Sequence, residues 1–199
     1  MDKNSKHKKA MEKQKAAVDA AILDADSEQS VVLLLTGEGK GKSSSAFGMV
    51  LRALGYEQKV AVIQFIKGKQ LSGEEIYIKQ HLPAIPFYQM ATGFTWDTQD
   101  REKDTAAAVR TWSEAEKHLQ DKQLDLLILD ELTYMLAYQY LDEEQVIEAI
   151  RKRSPQLSVV ITGRGGGSAL RALADTVSEI KNSKHAYEAG IKARKGVDY

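Results

Sequence analysis

Apolar residues in this chain fall into short unbroken runs, separated by segments with helical spacing. Val31-Val32-Leu33-Leu34-Leu35, Lys59-Val60-Ala61-Val62-Ile63-Gln64-Phe65, Leu124-Asp125-Leu126-Leu127-Ile128-Leu129 and Leu157-Ser158-Val159-Val160-Ile161-Thr162 read as strands. A strand with one wet face would alternate; continuous runs mark strands covered on both faces. Phe87-Tyr88-Gln89-Met90 and Val177-Ser178-Glu179-Ile180 predict two shorter strands. Residues 72–81 predict a short helix, 100–119 a long one, and 44–54 and 142–153 two more. Asp100, Glu102 and Asp104 lie where a helix dipole favours acids, Asp142 is placed to cap, and Ser154-Pro155 is a stop signal. Strand and helix signals alternating from Val31 onward predict an α/β fold: a mostly parallel sheet with helices on both faces.

Residues 1–29 break this pattern. Lys3, Lys6, Lys8, Lys9, Lys13 and Lys15 precede an Ala-rich stretch in which Val18, Ile22 and Leu23 share a helix face. The expected organisation is an N-terminal helical arm over 1–29 and one domain over 30–199. The arm is either a solvated helix or an element that docks on the site or on a second subunit.

Composition narrows the chemistry. The 199 residues carry 28 Lys+Arg against 28 Asp+Glu, a balance that argues against broad nucleic-acid or membrane attraction. Any phosphate chemistry must then use local positive charge. The absence of Cys removes disulfides, thiolate metal sites and a thiol nucleophile, and fits a reducing cytoplasm. The Lys-rich start has no apolar signal core, and no run approaches the ~18 apolar residues of a membrane span.

Thr36-Gly37-Glu38-Gly39-Lys40-Gly41-Lys42-Ser43 follows the first strand and opens a helix. Strand, glycine-rich loop, Gly-Lys-Ser and helix form a cradle whose N–H groups and helix N-terminus face an anion. Lys42 supplies a charge and the Ser43 hydroxyl can ligate Mg²⁺; Ser44, where the helix-compatible segment opens, is counted with the loop from Thr36 to Ser43 as nucleotide-binding. Thr36 occupies the first glycine position of the usual pattern. The fold is therefore expected to be of the phosphate-loop (RecA-like) type. Asp130-Glu131 follows a buried strand, where a carboxylate reaches Mg²⁺ beside the loop hydroxyl, or where Asp130 caps the helix starting at Leu132. Thr162-Gly163-Arg164-Gly165-Gly166-Gly167 also follows a strand; Arg164 there meets a phosphate or is solvated in a tight turn. Phe94 and Trp96, in a loop, belong to a satellite core or press on a flat ligand. Tyr134, Tyr138 and Tyr140 read as packing, and His7, His81, His118 and His185 form no ligand spacing.

Taken together these motifs resemble the bacterial ATP:corrinoid adenosyltransferases of cobalamin synthesis and salvage. The matching pieces are the phosphate loop, Val62-Ile63-Gln64-Phe65-Ile66-Lys67-Gly68, Met90-Ala91-Thr92-Gly93-Phe94-Thr95-Trp96, Leu129-Asp130-Glu131-Leu132-Thr133-Tyr134, Ile161-Thr162-Gly163-Arg164-Gly165, Ala174-Asp175-Thr176-Val177-Ser178-Glu179 and Gly196-Val197-Asp198-Tyr199. The resemblance implies that Co(I) of a reduced corrinoid such as cobalamin attacks C5′ of ATP and that the whole triphosphate leaves. It implies Mg²⁺ (or Mn²⁺), with Lys42 and the loop amides stabilising the leaving group. Phe94 and Trp96 would occupy the lower corrin face, favouring a four-coordinate Co(II) that is easier to reduce. A homodimer whose N-terminal helix covers the corrinoid, and an electron donor such as a reduced flavoprotein, complete what it implies.

Two positions depart from the family pattern. Glu38 stands where the family typically carries Asn, and a carboxylate there should repel triphosphate unless it points outward or meets Lys40 or Mg²⁺. Ser43 replaces the usual Thr and keeps the hydroxyl. Two rival readings remain: a phosphate-loop kinase or ATPase, which would make ADP, and a corrinoid carrier or nucleotide-binding regulator, which would bind without turnover.

Overall fold

The computed structural model describes residues 2–66, 71–90 and 100–199. Helix α1 (Lys3–Asp24) buries none of its residues. Then come β1 (Val32–Thr36), α2 (Lys42–Gly55), β2 (Val60–Gln64), α3 (Gly73–His81), β3 (Phe87–Gln89), α4 (Arg101–Leu119), β4 (Leu126–Asp130), α5 (Leu132–Ala137), α6 (Glu143–Arg151), β5 (Ser158–Thr162), α7 (Gly167–Leu173) and β6 (Thr176–Glu179). A 3₁₀ turn covers Ala186–Ala189. The six strands form one sheet in the order β3-β2-β4-β5-β1-β6, and every pairing is parallel.

The unbroken apolar runs are explained by two cores. Successive residues of each strand point to opposite faces. Ala61, Ile63, Leu127, Leu129, Val159 and Ile161 pack on one face with Ala108, Trp112, Ala115 and Leu119 of α4. Val60, Val62, Leu126, Ile128 and Val160 pack on the other with Ala46, Phe47, Val50 and Ala53 of α2 and Ile78 of α3. Side-chain caps start three helices: Ser72 accepts from Glu75 N–H, Asp100 from Lys103 N–H and Asp142 from Gln145 N–H.

Some boundaries differ from expectation. Asp130 lies inside β4 and does not cap α5, whose N-cap is Glu131 without a side-chain bond. Helix α7 was not anticipated, because three successive glycines at its head mask the apolar spacing of Leu170 and Leu173. No described helix is long and apolar enough to cross a membrane.

Candidate functional site

Parallel pairing sends the carboxyl ends of the strands to one edge, where ligands bind in open α/β sheets. Four neighbouring strands end there in buried polar residues: Thr36 (β1), Gln64 (β2), Asp130 (β4) and Thr162 (β5). The phosphate loop leaves β1 at Thr36 and enters α2 at Lys42. Gly41, the N-cap, has φ 120° and no side-chain cap, so the first N–H groups of α2 stay open to a ligand.

The loop glycines are required by a close neighbour. Gly37 has φ 101°, and a Cβ there would lie 2.4 Å from the carbonyl oxygen of Ile180. Gly39 N–H donates to that oxygen at 2.7 Å, while Ile180 N–H donates to Thr36 O at 2.8 Å. The backbone after β6 thus lies against the loop. Thr36, at the first glycine position, donates its hydroxyl to Gly165 O and joins the phosphate loop to the loop after β5.

Lys42 is buried, and its Nζ donates to Gly37 O and Gly39 O, each at 2.8 Å. Burial lowers its pKa, opposed mainly by Glu131. Lys42, Ser43, Ser44, Asp130, Glu131 and Arg164 line a cleft of about 630 Å³. The two acids behave differently. Asp130 accepts from Gln64 Nε2 and from the Thr162 hydroxyl, both at 2.7 Å, so each of its oxygens is engaged. Glu131 keeps its buried Oε2 without a hydrogen-bond partner among the described residues. Burial, reinforced by Asp130, pushes the Glu131 carboxyl up to about 7, against the pull of Lys42 and Arg164.

A model of the ATP:corrinoid adenosyltransferase family BtuR/CobO/CobP matches residues 28–199. The chain belongs to that family. It is 46% identical over 196 residues to the corrinoid adenosyltransferase of Escherichia coli K12, covering 98% of this chain and 99% of that one. It is 45% identical over 196 residues to corrinoid adenosyltransferase CobA of Salmonella typhimurium LT2, with the same shares covered. The Pseudomonas aeruginosa corrinoid adenosyltransferase is 46% identical over 198 residues, covering 100% of this chain and 98% of that one.

On this adenosyltransferase-family chain the anticipated loop residues from Glu38 to Ser44, the two acids and Arg164 line one cleft, whereas Thr36 and Gly37 do not line it and Thr36 is fully buried; Phe94 and Trp96 lie outside the described residues. Glu38 does not meet Lys40. Its carboxylate stands 3.1 Å from the Arg164 guanidinium, and Lys40 pairs with Asp198 at 2.7 Å. The tyrosines pack as expected, with ring centroids 5.8 Å apart for Tyr134–Tyr138 and 5.7 Å for Tyr138–Tyr140. Sequence reasoning gave no role to Gln64, Thr162 or the Gly196–Tyr199 stretch that walls the cleft. Polar residues closing otherwise apolar strands were the available signal for the first two.

A divalent cation fits this donor set. Glu131 keeps a buried carboxylate oxygen without a partner among the described residues and lines the same cleft as Ser43, and carboxylate and hydroxyl oxygens are the donor types such a cation takes. No group of three or more His, Cys, Asp or Glu that could hold a metal alone occurs among the described residues.

Proposed function

We propose that the protein transfers the 5′-deoxyadenosyl group of ATP to the cobalt of a reduced Co(I) corrinoid, yielding adenosylcobalamin or a precursor and free triphosphate. The observation that carries this reading is the convergence of Lys42, Ser43, Glu131 and Arg164 on one cleft in a chain of the adenosyltransferase family. The set suits a polyanionic leaving group and includes no thiol.

The Co(I) electron pair forms the cobalt–carbon bond, and the C5′–oxygen bond breaks with its electrons going to the triphosphate. The chain supplies no nucleophile in this scheme; its task is to place C5′ and hold the leaving charge. Lys42 exchanges its two loop carbonyls for phosphate oxygens, and the open N–H groups of α2 take others. Arg164 leaves Glu38 for the triphosphate. Ser43 and Glu131 would hold Mg²⁺ (or Mn²⁺), with Asp130 behind them. When bound, the cation neutralises charge on the leaving triphosphate.

The remaining features are read from the same reaction. Phe94 and Trp96 cover the lower corrin face. Val18, Ile22 and Leu23, exposed on α1, suit an arm that covers the corrinoid across a homodimer. Co(II) must gain one electron to become Co(I); a donor protein such as a reduced flavoprotein supplies it in this reading, which places the reaction in the cytoplasm.

The test is an anaerobic assay with ATP, Mg²⁺ and chemically reduced Co(I) cobalamin. Adenosylcobalamin is followed by absorbance and the phosphate product is identified. Adenosylcobalamin with triphosphate is expected. ADP without a cobalt–carbon product would replace the reading with a kinase or ATPase, and tight binding without turnover with a carrier.

A further inference from the structure

The buried strand ends are linked by hydrogen bonds that the scheme above leaves without a purpose. Gln89 Nε2 donates to Gln64 Oε1 at 3.1 Å, and Gln64 Nε2 donates to Asp130 Oδ2 at 2.7 Å. The Thr162 hydroxyl donates to Asp130 Oδ1 at 2.7 Å. The same Thr162 oxygen accepts the backbone N–H of Glu131 at 2.9 Å. Thr162 and Asp130 are both fully enclosed. This clamp therefore ends on the N–H of the residue whose carboxylate keeps a buried oxygen, Oε2, without a partner among the described residues.

That residue has an unusual backbone. Glu131 sits in the left-handed region, at φ 60° and ψ 24°, which a residue with a Cβ enters only when its surroundings compel it. Left-handed φ at Glu131 turns the chain from β4 into α5 in a single step. Glu131 Oε2 then lies against the end of β5: a Cβ on Gly163 would come within 3.2 Å of it. A relaxed extended residue at 131 would carry the carboxylate elsewhere.

We infer that Thr162 is a positioning residue. By bonding Asp130 and accepting the N–H of Glu131, its hydroxyl fixes the Glu131 backbone and so aims the Glu131 carboxylate into the phosphate cleft beside Lys42. Asp130, in turn, acts through Thr162 and not as a direct ligand. The inference rests on the reading that Glu131 holds the divalent cation of the nucleotide complex. Outer groups that orient a ligand in this way commonly change metal affinity ~10–100-fold when removed.

The test measures Mn²⁺ binding to the full chain with ATP present, by electron paramagnetic resonance, alongside circular dichroism and thermal unfolding. Glu131→Gln, Thr162→Val and Thr162→Ser are compared with the wild type. Thr162→Val is expected to weaken Mn²⁺ binding ~10-fold or more, and Thr162→Ser to restore it to within ~3-fold. Because both act through one carboxylate, Thr162→Val/Glu131→Gln should bind no more weakly than Glu131→Gln alone. A folded Thr162→Val protein with wild-type Mn²⁺ affinity overturns the inference while leaving the cation reading intact. So do losses that add in full in the double variant. Wild-type affinity in Glu131→Gln overturns the cation reading, and the inference with it. Should Thr162→Val fail to fold, Gln64→Met, which loosens Asp130 from its other side, decides. Weakened Mn²⁺ binding then supports the clamp and unchanged binding overturns it.

Discussion

The Arg164 guanidinium lies 3.1 Å from the Glu38 carboxylate, bridging the phosphate loop and the loop after β5. Both side chains are more than half exposed, at 56% and 66%, so the pair contributes at most ~1 kcal/mol to folding. Its larger effect falls on substrate, because ATP must displace Glu38 from Arg164 and then tolerate a carboxylate nearby. Glu38→Asn should lower the KM for ATP ~3–10-fold at low salt, and the gain should shrink as salt screens the charges. Steady-state kinetics at two ionic strengths check this. A KM unchanged at low salt would mean that Glu38 swings clear of the bound nucleotide.

Lys42 occupies its own loop, donating to Gly37 O and Gly39 O. If it moves to the departing triphosphate, Lys42→Ala should lower kcat with Co(I) ~10²–10³-fold, the usual cost of removing a preorganised charge partner. Thermal unfolding of the same variant separates loss of chemistry from loss of the loop. Near-normal turnover would refute the phosphate-loop assignment.

Gly37 and Gly48 give opposite expectations for one substitution. A Cβ at Gly37 meets Ile180 O at 2.4 Å and φ is 101°, whereas a Cβ at Gly48 meets nothing within 4 Å. Gly37→Ala should cost ~2 kcal/mol or more, about 4–8 °C in Tm for a chain of this size, and displace the backbone after β6 from the loop. Gly48→Ala, within α2, should stabilise by up to ~1 kcal/mol. Equal Tm shifts would show that the loop does not depend on the approach of Ile180.

The parts of this molecule that were legible in the sequence are those whose cause is local. Val60–Gln64 and Leu126–Asp130 are buried on both sides, so an unbroken apolar run announces each strand. Asp142 and Asp100 cap helices because the cap bond spans three residues. Loop, acids and Arg164 could be singled out as candidates because glycines, Lys and carboxylates mark strand ends. What stayed hidden depends on long-range contact. Nothing near Glu38 in sequence indicates Arg164, and nothing near Gly37 indicates Ile180. The division of labour between Asp130 and Glu131 is set by Thr162, a strand away in the fold and 31 residues on in sequence.

Phe94 and Trp96 allow a test that separates two halves of the reaction. If they displace the lower axial ligand, they matter for making Co(I), not for its attack on ATP. Phe94→Ala and Trp96→Ala should therefore lose ~10-fold or more when the reaction starts from Co(II) with a biological reductant, and little when Co(I) is supplied chemically. Equal losses in both assays would count against the axial role and leave the rings as packing.

Glu131 should make stability depend on pH in a direction opposite to most acids. Its folded pKa of about 7 lies above the ordinary 4.5, so between those values the folded chain holds a proton that the unfolded chain has released. Stability contributed here is full below about pH 4.5, falls as pH rises, and is lost above about pH 7. Glu131→Gln removes the ionisation and should raise Tm by ~6–12 °C at pH 8, from a term on the order of 3 kcal/mol, while changing little at pH 4. Mg²⁺ with ATP should reverse the order at pH 8, because a bound cation favours the charged carboxylate that the variant lacks. For the same reason, at subsaturating Mg²⁺ the wild-type rate should climb through pH 7 and the Gln variant should show no such rise. Thermal unfolding at the two pH values, with and without Mg²⁺ and ATP, checks the argument. A Tm difference that is independent of both would show that Glu131 is already charged and compensated in the free protein.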